Sequence, residues 1–262
     1  ALHAHEWGGF HYRITGTDSE GNVQLEGGWQ NNRPNEMHKQ YRFVENIFEE
    51  LDAPGEWWLD KDKQLLYYYP PKGVNLNDAL IEVSHLKNSI VLKGSMGSPL
   101  RNVQLLNLHF AHNERTFMDT KEPLLRSDWT IYRGGAVLLD GTENCKIADC
   151  VFEGIGGNAI MFSNYNKRDT VTGCHIYNTG ANAVCFIGDT KAVRSPSFRY
   201  ENYIPYNQLD KTPGPLTNNF PQECIVTNNL LHDLGDIEKQ ATGVQIEVAA
   251  SITVSHNSIY HT

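Results

Sequence analysis

The chain of 262 residues carries 22 Lys and Arg against 31 Asp and Glu, a formal charge of −9, and 40% of its residues are hydrophobic. That acidic excess argues against a sequence-independent nucleic-acid binder, which needs a basic stripe to neutralise phosphates, and the hydrophobic share argues against a disordered chain. No apolar run is long enough for a membrane-spanning helix.

The opening ALHAHEWGGF lacks the basic-then-apolar layout of an export signal, so any such signal has been removed or lies upstream. An aromatic strand is expected over Trp7 to Ile14, followed by a turn at Asp18 to Asn22 and the polar-aromatic stretch GGWQNNRP from Gly27. A short helix is expected over Val44 to Leu51. A hairpin then pairs WWLD from Trp57 with LLYYYP from Leu65. Residues 1–73 show no repeat and read as a cap or side elaboration.

Beyond them the chain resembles itself. Five nine-residue segments align: NVQLLNLHF from Asn102, NCKIADCVF from Asn144, RDTVTGCHI from Arg168, ECIVTNNLL from Glu223 and SITVSHNSI from Ser251. Their fourth residues (Leu105, Ile147, Val171, Val226, Val254) and ninth residues (Phe110, Phe152, Ile176, Leu231, Ile259) are apolar. The sixth position is a turn-former, Asn107, Asp149, Gly173, Asn228 or His256, where a left-handed backbone is tolerated. A second strand, GGAVLLDGT, GNAIMFSN, ANAVCFIGD or ATGVQIEVA, alternates at period two. Short strands in a unit of about 24 residues without a helix fit a solenoid. The expected fold is therefore all-β: a right-handed parallel β-helix over 74–262, with two long loop insertions at 111–133 and 190–222. Cys145, Cys150, Cys174, Cys185 and Cys224 form no CxxC pair and read as buried free thiols.

Strand alternation turns Val244 and Ile246 inward and Gln245 and Glu247 outward. Glycoside hydrolysis needs two carboxyl groups, one protonated and one ionised, and Glu247 is the first candidate. Asp189, at the mouth of the long second insertion, is the other. Asp140 shares Glu247's outward column, but three rungs of ~4.8 Å separate them, beyond the roughly 6.5–9.5 Å of an inverting pair. A partner for Glu247 one or two rungs further on falls after Thr262, so the natural protein is expected to continue. Sugar contacts need aromatic faces beside hydroxyl-binding groups. Trp29, Asn32 and Arg33 offer these in one stretch, and Arg126, Asp128, Trp129 and Arg133 in another, with Gln245 on the outward strand face. The His-rich opening has no metal-ligand spacing, so neither metal nor cofactor is expected.

The strings GGWQNNRP, VENIFEELDAPGEWWLD, LLRSDWTIYRGGAV and GGNAIMFSNYN resemble bacterial β-helix carbohydrate-active proteins, most of all glycoside hydrolase family 141. That resemblance implies an extracellular or periplasmic enzyme acting on plant cell-wall glycans, as an α-L-fucosidase of complex pectin or as a xylanase. Family members are longer than this chain, and no position here matches their acidic motifs. Two alternatives stand beside hydrolysis. One is a polysaccharide lyase, for which Lys191, Arg194 and Lys239 are candidate bases without an accompanying calcium-binding acidic cluster. The other is a non-catalytic, glycan-binding solenoid. The expected partner is a poly- or oligosaccharide, with no nucleic acid and no membrane.

Overall fold

The computed structural model describes residues 1–6, 8–33, 36–125 and 128–262. Three parallel sheets hold most of the chain. The first runs through Ile90–Lys93, Val137–Glu143, Ile160–Lys167, Val184–Ile187 and Val244–Glu247, with Leu100–Arg101 and Pro221–Gln222 attached beside this path. The second stacks Gln104–Leu106, Lys146–Ala148, Thr170–Thr172, Ile225–Thr227 and Thr253–Ser255. The third stacks His109–Ala111, Val151–Ile155, His175–Thr179, Leu230–Leu234 and Ser258–Tyr260.

The aligned apolar positions are register partners. Leu105, Ile147, Val171, Val226 and Val254 pair in succession across the second sheet. Phe110, Phe152, Ile176, Leu231 and Ile259 do so across the third. The inward residues of the first sheet, Val137, Leu139, Ile160, Phe162, Val184 and Phe186, are fully buried among them. Phe162 stacks on Phe186 at 4.5 Å, and Phe110 on Phe152 at 4.6 Å.

Between the second and third sheets the chain turns within two residues, and one of them is left-handed every time. Asn107, Asp149, Gly173, Asn228 and His256 have φ from 53° to 66°. The residue entering the second sheet is also left-handed at Asn102, Asn144, Arg168, Glu223 and Ser251. Side-chain amides then fill the interior beside the turns. The Asn229 amide donates to Asn257 Oδ1 at 2.9 Å, and its own oxygen accepts from the Cys174 backbone at 2.9 Å. All five cysteines are buried and unpaired.

The expected fold class, a right-handed parallel β-helix solenoid over 74–262, is corrected in favour of an all-β assembly of three parallel sheets of seven, five and five strands. Parallel pairing starts at Ile90, not at Val74, and the first sheet takes in three strands that the repeat does not contain, Ile90–Lys93, Leu100–Arg101 and Pro221–Gln222. Successive register partners in the second sheet lie 42, 24, 55 and 28 residues apart, so one 24-residue unit does not describe the chain. The sequence repeat specifies which strands pair and which side chains face inward. It does not specify the path between them.

The non-repeating segment also differs in detail. Its first strand is Tyr12–Thr17, antiparallel to Val23–Gly27, and Trp7 lies outside the described residues. The helix expected over Val44 to Leu51 is a single 3-10 turn, Phe48–Glu50, with no buried residue; one turn has too few backbone hydrogen bonds to continue without an apolar face to bury. The Trp57–Asp60 and Leu65–Tyr68 hairpin forms as expected. Phe162→Ala should lower unfolding free energy by about 3–5 kcal/mol, because it opens a void beside Phe186; urea denaturation followed by near-ultraviolet circular dichroism measures it.

Candidate functional site

The outward face of the first sheet is covered by chain from the first insertion. Leu124 and Ile131 pack on Met161, Cys185 and Ile187, joined by Trp129 and Leu138. A short antiparallel ladder, Glu122–Pro123 against Thr130–Ile131, shapes this cover. Trp129 thus sits in an apolar cluster.

Arg133 fastens the cover to the sheet. Its guanidinium donates to both oxygens of Glu122, at 2.8 and 2.5 Å, to Ser163 Oγ at 3.2 Å, and to the carbonyls of Ile187 and Gly188 at 2.8 and 3.1 Å. Asp189 follows directly. Burial would raise its carboxyl, but the Lys191 backbone N–H and the Asn219 amide outweigh that and hold it below the usual range. One oxygen caps the 3-10 turn Thr190–Ala192 while the other takes the Asn219 amide at 2.8 Å, closing the neck of the second insertion.

Glu247 is the register partner of Ile187, and the Gly188 N–H donates to its carbonyl at 3.0 Å. The structure therefore brings Arg133, Asp189 and Glu247 together around Ile187–Gly188. Burial pushes the Glu247 carboxyl up to about 7, against a single backbone donor from Leu125. Its Oε1 is buried without a hydrogen-bond partner among the described residues. A carboxyl that holds its proton up to about pH 7 thus lies near one held below the usual range. Gln245 pairs with Cys185 on the same outward face.

A second carboxyl with the same property, Glu238, was not found by sequence reasoning. Burial pushes it up to about 7, and the Thr120 hydroxyl donates to it at 2.9 Å. It borders a small void shared with Gln30, Asn158 and Asn182. Its sequence neighbourhood, LGDIEKQ, reads as a solvated turn, and its burial comes from distant chain at Thr120 and Thr130–Tyr132.

A second, wider opening lies beside the Glu122–Pro123 strand. It is a cleft of about 380 Å3, lined by Tyr12, Trp29, Asn31, Asn32, Arg33, Lys121, Pro123, Arg199 and Glu201 among others. Alternation along the short strand explains the division: Lys121 and Pro123 face the cleft while Glu122 faces Arg133. Gly28 delivers Trp29 to the wall. Its φ is 79°, and a Cβ there would stand 2.7 Å from the Tyr12 hydroxyl, so the bend needs glycine.

The two polar-aromatic stretches read from the sequence meet here. Asn31 bridges Trp129, and the Asn32 N–H donates to the Asp128 carbonyl. Arg33 forms an ion pair with Asp128 and lies 5.1 Å from the Tyr200 ring centroid. The Asn32 amide reaches the Phe198 carbonyl, and Thr130 Oγ1 donates to the Trp29 carbonyl at 2.6 Å. Trp29, Asn32 and Arg33 line the opening, whereas Asp128 holds Arg33 in place. Arg126 lies outside the described residues. Tyr12, Lys121, Arg199 and Glu201 were missed because their place in the cleft depends on chain folded from three distant segments.

No family model and no curated protein matches the chain. A solved structure described as "Glycoside hydrolase" matches at a TM-score of 0.73 with 18% identity, covering 100% of this chain and 48% of that one. The chain thus has a glycoside hydrolase-like fold and spans about half the length of that structure. The likeness does not single out family 141.

Because Glu238 ionises at about 7 when folded, against an ordinary 4.5, the unfolded chain holds fewer protons between these values. Stability must therefore fall as pH rises through that window. Denaturant titrations from pH 4.5 to 7.5 should show Glu238→Gln losing less stability across it than the parent protein.

Proposed function

We propose that this chain is the glycan-engaging part of a glycoside hydrolase, binding an oligosaccharide in the cleft walled by Trp29, Asn32 and Arg33. The observation that carries this reading is the cleft itself. Its volume of about 380 Å3 falls in the range of small-molecule sites, and two aromatic rings stand beside amide and guanidinium groups able to hold sugar hydroxyls. The shared fold with a glycoside hydrolase supports it.

In this reading Glu247, protonated near neutrality, is the general acid that protonates the departing glycosidic oxygen. Asp189, ionised and oriented by two hydrogen bonds, is its basic counterpart. Arg133 positions both by binding the Ile187 and Gly188 carbonyls between them. The resemblance of the four sequence blocks to plant cell-wall enzymes supports pectin- or xylan-derived substrates and, with them, an extracellular or periplasmic site of action. A second reading, glycan binding without turnover, is favoured by one feature: Glu122–Pro123 stands between the cleft and the acids.

Isothermal titration against pectin and xylan oligosaccharides, with product analysis, tests both readings. Trp29→Ala should weaken binding about tenfold, the loss of one well-packed contact of ~1.4 kcal/mol. Glu247→Gln should abolish release of reducing sugar while leaving binding intact. Binding without turnover under any condition selects the second reading. Product absorbing in the ultraviolet marks elimination instead, and no glycan binding at all overturns the proposal.

A further inference from the structure

The charge of the cleft is opposite to that of the protein. On a chain of formal charge −9, the cleft is lined by Arg33, Lys121 and Arg199 against one lining carboxylate, Glu201. Arg33 is already neutralised by Asp128. Neither Lys121 nor Arg199 has an ion-pair partner among the described residues. Both are exposed.

Lys121 is also held in place. Its ammonium sits 3.7 Å from the centroid of the Trp29 ring. A cation over an aromatic face is attracted by the ring quadrupole, and this contact leaves the ammonium's donors free. It occupies one face of the Trp29 ring. What the wall presents to a ligand at that point is a positioned positive charge. Arg199, from the second insertion, supplies another in the same cleft, with a planar fork suited to a carboxylate or sulfate.

Resting on the glycan-binding reading above, we infer that the cleft selects a glycan bearing an anionic group, a uronate carboxylate or a sulfate ester, held by Lys121 and Arg199. These two residues then determine specificity, while Trp29 and Asn32 contact the ring and its hydroxyls. On a protein of net negative charge, this basic opening is the favoured place for an anionic polymer to dock.

Isothermal titration with four probes decides the matter: oligogalacturonides, the same oligomers as methyl esters, sulfated carrageenan oligosaccharides and neutral xylo-oligosaccharides. The expected result is that an acidic or sulfated probe binds at least about tenfold more tightly than its neutral counterpart, with affinity falling as salt rises. Whichever anionic probe binds identifies the group. Lys121→Gln and Arg199→Gln should each lose about tenfold on that probe and little on a neutral one, and Lys121→Arg should restore binding. Both side chains are exposed, so these variants retain the fold. Equal affinity for acid and methyl ester, or binding of the neutral oligosaccharides alone, overturns this inference and leaves glycan binding standing. If no probe binds, both fall.

Discussion

Each passage from the second sheet to the third turns on one left-handed residue. Asn107, Asp149, Gly173, Asn228 and His256 adopt φ values that disfavour an L side chain. Each therefore needs a partner outside itself. Neighbouring strands provide it: the Asn107 N–H donates to the Ala148 carbonyl and the Asp149 N–H to the Thr172 carbonyl, both at 3.1 Å. The bend is thus stable only when stacked, and stacking is what aligns the inward columns. Once those columns align, the alternate residues face outward, and Ser163, Ile187 and Glu247 form one such outward column.

That outward face would be an ordinary solvated sheet surface without its cover. The first insertion places Leu124, Trp129 and Ile131 over Met161, Cys185 and Ile187, and Arg133 pins the cover to two carbonyls of the sheet. Burial then does the chemistry. Removing water from one side of Glu247 and Glu238 disfavours their charged forms, while Asp189, with two donors at hand, remains ionised. Carboxyl groups of similar intrinsic acidity thereby separate into protonated and ionised forms near neutral pH, the condition for general acid-base work.

The cleft arises from the same cover seen from its other face. Because Lys121 and Pro123 point away from Glu122, the strand that buries the acids also lines the opening. The N-terminal hairpin adds Tyr12 and Trp29, and the second insertion adds Arg199 and Glu201. The neck of that insertion is closed by Asp189 and Asn219, so a residue next to the acid cluster also anchors the loop that completes the cleft.

The sequence alone determined the strand pairing: period-two alternation and the recurring turn residues identify the inward columns, because those patterns are local and each turn must solve the same backbone problem. It also pointed to Trp29, Asn32, Arg33, Asp189 and Glu247, since their residue types and outward or loop positions are legible along the chain. It did not reveal that Asp128 is engaged by Arg33, that Trp129 joins an apolar cluster, or that Glu238 is partly covered. Nor did it reveal that Lys121 lies over Trp29 or that parallel pairing begins at Ile90. Those features depend on chain segments tens to more than a hundred residues apart. Burial, pKa and charge complementarity belong to the contact between them, and no local pattern encodes which segment will arrive.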